Sequence, residues 1–220
     1  MNTRSNNKDS KETSESISKK AIRLNWLIIF SLVINLSYAI YNLYLGITSL
    51  SIWFGLMFLY YLILGLMKLF SLIRKNKYST DDKKQYQVMR IIGIVFFFLV
   101  IILSCSLTLT LKFSLYKSHT TIIMISIAAY TFYKVIIAII NLVKARKSQD
   151  ITLYTIRNIN IAEALVSLLN LQMTMYQSFN TEEENNILIM NIISSCVVCL
   201  LIFFFGIRMI IVSVKHLKRL

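Results

Sequence analysis

Four ionisable side chains interrupt otherwise apolar stretches of this 220-residue chain: Lys68, Lys134, Glu163 and Arg208. A charge in hydrocarbon costs roughly 2.5–3.5 kcal/mol on insertion scales, so each is a candidate for work that only a charge can do. That work is proton or ion relay, solute recognition, or a buried bridge between helices. Glu163 also belongs to a polar stripe. Asn160, Glu163, Ser167, Asn170, Thr174 and Gln177 recur at spacings of three and four, which puts them on one face of a helix. Ser31, Asn35, Tyr38 and Asn42 form a second such face. Ser126, Tyr130, then Tyr133 or Lys134, and Asn141 form a third, and Asn191, Ser194 and Ser195 open a fourth segment. Polar faces of this kind hydrogen-bond between helices, at roughly 0.6–2 kcal/mol each, or line a hydrophilic path for a solute.

Depth separates the four charges. Lys68 lies six residues from Arg74 and Arg208 seven from Lys215. Both are then about 9–10 Å below the membrane edge at 1.5 Å per residue, within snorkelling reach of the headgroups. Lys134 is ten residues from Lys144, or about 15 Å deep, too far to snorkel comfortably. A Lys134–Glu163 pair is therefore expected between consecutive antiparallel spans, offsetting both desolvation costs. The candidate intramembrane site is Lys134, Glu163, Asn170, Tyr130, Tyr133, Asn35 and Ser167. No catalytic residue is expected, since HExxH, GxSxG, Walker-loop and paired intramembrane aspartate patterns are missing from the sequence. Nor is a metal or cofactor. Cys196-x-x-Cys199 has the form of a metal half-site, but His119 and His216 fall at span edges.

The elements that must position these residues follow from composition. The chain is 56% hydrophobic and 15% charged, against about 45–50% and about 25% for a soluble domain. An all-α, polytopic membrane protein of six transmembrane helices is expected, with spans at about 24–45, 50–73, 90–111, 120–143, 158–178 and 187–214. Each is near the roughly 20 residues that a helix needs to cross a bilayer. Residues 1–20, polar and mixed in charge, are expected to be a disordered cytoplasmic tail before a transmembrane domain over 21–220.

The net charge of +14 does not point to nucleic acid, because no binding module accompanies it. The basic residues crowd into alternate loops and the termini, where they set orientation and meet anionic headgroups. Nineteen Lys and Arg fall on one side, including Arg74, Lys75, Lys83, Lys84, Arg146 and Lys215. Only Lys112 and Lys117 fall on the other, with the run Glu182, Glu183, Glu184. This alternation holds only if 158–178 crosses the bilayer, which places both termini in the cytoplasm. Aromatics fit the frame: Trp26, Tyr78 and Tyr86 at the inner edge, Trp53, Tyr44, Tyr116 and Tyr176 at the outer. Arg23, Arg90 and Arg157 are spaced by 67 and 67, and suggest three parallel helical-hairpin repeats. With no Pro and five Gly, interrupted transporter helices are not expected.

AYTFYKVIIAIINLVKARK (129–147) with IRNINIAEALVSLLNLQ (156–172) resembles a pattern in small bacterial six-span membrane proteins to which no activity is assigned. The resemblance covers about a fifth of the chain. It implies a bacterial plasma-membrane protein, and it falls on Tyr130, Tyr133, Lys134, Glu163, Asn170 and Gln172. The expected function is that of a non-enzymatic structural or accessory membrane subunit, in a homo-oligomer or larger membrane complex. The alternative is a small-solute or ion transporter, or channel-like protein, using the polar faces of spans one, four and five.

Overall fold

Six helices carry the described chain in the computed structural model: α1 (Ile28–Thr48), α2 (Ile52–Lys77), α3 (Asp82–Phe113), α4 (Thr121–Arg146), α5 (Ile151–Phe179) and α6 (Glu184–Leu217). The structure describes residues 26, 28–48, 50, 52–77, 81–113, 121–146, 150–179 and 184–218. The expected tail over 1–20, Arg23, Tyr78, Tyr116, His119, Glu182 and Glu183 lie outside them, as do the side chains of Tyr176 and Gln177. No strand occurs among the described residues.

Two helix starts have an evident local cause. Asp150 Oδ1 accepts from the backbone N–H of Thr152 at 2.9 Å, capping α5. Asp81 Oδ1 accepts from the N–H of Lys84 at 3.2 Å, capping α3. The Lys84 side chain also bonds Asp81 and holds its carboxyl below the usual carboxylate range. These caps set both helices beginning well before the expected spans at 158 and 90. Arg157, expected at a span edge, lies inside α5 with its guanidinium 4.5 Å from the Tyr154 ring.

The helices α1 to α4 and α6 are long and apolar enough to cross a membrane. Their outward faces are apolar: Phe30, Val33 and Ile40 on α1, Phe98 and Ile101 on α3, Leu200 and Phe204 on α6 are all exposed. This is a multi-pass membrane protein. By composition alone α5 falls short of that class, and its packing explains why. It runs antiparallel to α2, with pairs from Lys75–Asp150 at one end to Trp53–Asn170 at the other. It thus lies alongside α2 over most of that helix's length. Of its large apolar side chains, only Leu168 and Met175 are exposed among the described residues.

Among α2 to α6, the closest packing joins α3 to α6 and α4 to α5, whereas the consecutive helices α3 and α4 share no extensive contact. The bundle is thus not a stack of three self-contained hairpins. Small residues permit the α3–α6 approach: a Cβ on Gly93 would stand 3.1 Å from the Gly206 carbonyl oxygen, and one on Gly206 3.2 Å from that of Gly93.

Candidate functional site: a buried lysine–glutamate–lysine centre

Every described member of the α5 polar stripe is buried: Asn160, Glu163, Ser167, Asn170 and Thr174. The stripe meets protein, as polar groups within hydrocarbon require. Its centre is Glu163, fully enclosed between α2 and α4. Lys134 Nζ donates to Glu163 Oε2 at 2.7 Å, the pair expected from the sequence.

Lys68 corrects the sequence reading. Expected to snorkel to the headgroups, it is instead 1% exposed, and its Nζ donates to the same Glu163 Oε2 at 2.6 Å. Depth below Arg74 was a poor guide, because the side chain leaves α2 on the face that packs on α5. That face runs Met57, Tyr61, Leu64, Lys68 and Ser71, all buried and spaced by four, three, four and three. This stripe was the available signal for Lys68. Arg208, by contrast, is exposed on α6.

The bonds continue from both lysines. Lys68 Nζ also donates to Ser31 Oγ at 3.2 Å. Lys134 Nζ lies 3.4 Å from Asn35 Oδ1, which accepts from the Tyr130 hydroxyl at 3.0 Å. Asn35 Nδ2 donates to the Tyr61 carbonyl oxygen at 3.1 Å, tying α1 to α2. Ser167 Oγ gives its proton to the Glu163 carbonyl oxygen at 2.7 Å. The Tyr61 hydroxyl, 3.2 Å away, is therefore the donor to Ser167 Oγ. One turn further, Asn170 Oδ1 accepts from Trp53 Nε1 at 3.3 Å while its Nδ2 donates to the Tyr38 hydroxyl at 3.1 Å. Trp53 is thus a buried member of the network, not an aromatic facing lipid. The rings of Tyr38, Tyr61 and Tyr130 pack together, Tyr38 stacked on Tyr130 and Tyr61 edge-on to both.

Of the candidate residues, Lys134, Glu163, Asn170, Tyr130, Asn35 and Ser167 are brought together; Tyr133 is not bonded into the network. Its ring meets Phe30 edge-on, and its buried hydroxyl has no hydrogen-bond partner among the described residues. Glu163 Oε1 is in the same position. Ser126, grouped by spacing with Tyr130, is exposed and bonds only its own helix, at the Ile122 carbonyl. On α6, Ser194 accepts from Gln172 Nε2 at 2.8 Å, an α5–α6 tie outside the centre.

At the end of the bundle rich in Lys and Arg, Lys75 pairs with Asp150 at 2.7 Å and Thr152 Oγ1 donates to Gln85 Oε1 at 3.2 Å. Between them lies a cavity of about 10 Å³ lined by Ser71, Arg74, Lys75, Lys84, Gln85, Val88 and Thr152. That is room for about one water molecule. Ser71 stands one turn of α2 from Lys68.

Chemically, the centre holds two bases on one acid with hydroxyl, amide and indole groups leading away. It offers proton exchange and charge recognition. The chain matches no family model, no curated protein and no solved structure.

Proposed function

We propose that this is a non-enzymatic protein of a bacterial plasma membrane that carries or conducts a small ion or solute along the joined polar faces of α1, α2, α4 and α5. One observation carries the reading: a single buried carboxylate, Glu163, holds the amino groups of two buried lysines. A bridge that only fixes helix packing is complete with one lysine. With both lysines protonated the centre has one positive charge in excess, and an uncompensated buried charge costs several kcal/mol. Charges retained inside a membrane at such cost mark ion and proton pathways. The Lys75–Asp150 end faces the cytoplasm in this reading, with Lys75, Lys84 and Lys215 toward anionic headgroups and both termini inside.

A flux survey tests it. Purified protein in liposomes should pass at least one of H⁺, K⁺, Na⁺, chloride or a small neutral polar solute faster than protein-free liposomes do. Glu163→Gln that still folds should abolish the excess. If none of these species crosses faster, the polar faces are packing and the accessory-subunit reading replaces this one.

A further inference from the structure

The two lysines of the centre are alike in their hold on Glu163 and unlike in everything beyond it. Both ammonium groups point at one oxygen, Oε2, at 2.6 and 2.7 Å. Lys68 Nζ donates to Ser31 Oγ on α1, and Ser71, one turn along α2 from Lys68, lines the cavity at the Lys75–Asp150 end. The Ser71 hydroxyl is buried, lines that cavity and has no hydrogen-bond partner among the described residues. On the other side, Lys134 and the Tyr130 hydroxyl both donate to Asn35 Oδ1, and the Tyr130 ring packs on Tyr61 and Tyr38, which bond Ser167 and Asn170. One acceptor oxygen thus joins two bases whose further polar neighbours lie toward opposite ends of the bundle.

We propose that Lys68, Glu163 and Lys134 form a proton relay, in which Glu163 Oε2 passes a proton between the two lysines and the carried species is H⁺. This rests on the transport reading above and names its substrate. The buried centre is electrically neutral when one lysine is protonated, the other is a free amine and Glu163 is a carboxylate. Starting with Lys68 protonated, its Nζ–H bond breaks and an Oε2–H bond forms, leaving three neutral groups. The Oε2–H bond then breaks as the lone pair of the Lys134 amine takes the proton, and Glu163 regains its negative charge. The sum of charges is unchanged throughout, so neither step puts a net charge into the low-dielectric interior. The distances need no side-chain rearrangement. The ionisable groups facing the centre are Tyr60 and Tyr61 from α2 and Tyr130 and Tyr133 from α4, all within electrostatic reach of Glu163. From α1 it meets the neutral Ser31 and Asn35.

Arginine discriminates a relay from a bridge, because it keeps the positive charge and the pairing but does not release its proton. Liposomes containing the wild-type protein and an internal pH dye should acidify or alkalinise under an imposed K⁺/valinomycin potential. Lys68→Arg and Lys134→Arg should each slow that flux by at least about tenfold while melting near the wild-type temperature. Because arginine is bulkier than lysine, the wild-type lysine side chains should also be followed by ¹⁵N solid-state NMR in lipid. A relay gives a neutral-amine signal from a buried lysine between pH 6 and 9, values chosen to bracket roughly neutral conditions. Two permanently protonated buried lysines overturn the relay, as does undiminished proton flux in both folded arginine variants. If wild-type liposomes pass another ion or solute but no protons, the relay fails and the transport reading stands; if they pass nothing, both fail.

Discussion

Glu163 and Asn170 organise the interior in different ways, one by charge and the other by bridging. Asn170 spends its carbonyl on Trp53 and its amide on Tyr38, so its loss leaves two buried polar groups without their partner. Asn170→Leu should cost about 1–3 kcal/mol, the range for stranding buried donors or acceptors. The chain has two tryptophans, and Trp26 is exposed whereas Trp53 is buried. In a Trp26→Phe background, emission therefore reports Trp53 alone. Asn170→Leu should change that emission, and Asn191→Leu should not. An unchanged spectrum with unchanged stability would break the Trp53–Asn170 contact. At this scale the polar stripe of α5 and the Lys134–Glu163 pair were legible in the sequence, because helical spacing and consecutive spans fix them. Lys68 was not. Distance to the nearest basic residue measures depth, whereas burial depends on which face of α2 meets α5.

The helices show the same division between pattern and packing. Apolar length located five and the alternation of basic loops the other, α5, but the ends of α3 and α5 are set by Asp81 and Asp150 caps that hydropathy does not register. The hairpin repeat suggested by Arg90 and Arg157 does not describe neighbour relations, since α3 finds its main partner in α6. That partnership depends on Gly93 and Gly206. A methyl group at Gly93 would lie 2.8 Å from Ile210 Cγ1 and 3.1 Å from a backbone oxygen. Gly93→Ala and Gly206→Ala should each destabilise by about 1–3 kcal/mol through overpacking. Gly55, with nothing within 4 Å of such a methyl, is the control and should accept Ala without loss. Melting curves in detergent read all three; equal behaviour at the three sites would mean that α3 and α6 are not in close contact.

For the whole molecule, the positive-inside asymmetry makes a topology prediction that does not depend on the polar centre. Thr181→Cys and Ser118→Cys should react with a membrane-impermeant thiol reagent in intact cells, and Ser79→Cys and Ser148→Cys should not. Labelling at Ser148→Cys but not Thr181→Cys would take α5 out of the membrane. The central claim is that one buried carboxylate holds two lysines, and it predicts that losing Lys68 alone is nearly neutral, where in an isolated Lys68–Glu163 pair the same loss would strand the acid and cost about 3–5 kcal/mol. In the wild type, Lys68→Met leaves Glu163 paired with Lys134 and should be close to neutral. Glu163→Gln leaves both buried lysines without their acceptor and should cost at least about 3–5 kcal/mol. In the Glu163→Gln background, Lys68→Met removes one of those stranded lysines and should therefore stabilise the protein. The decisive measurement is equilibrium unfolding in bicelles of the wild type, the two single variants and the double variant. A Lys68→Met effect near zero in the wild type and stabilising without Glu163 is the result expected; a loss of about 3–5 kcal/mol in the wild type would show that Lys134 does not share the carboxylate, and the same effect in both backgrounds that Lys68 and Glu163 do not meet.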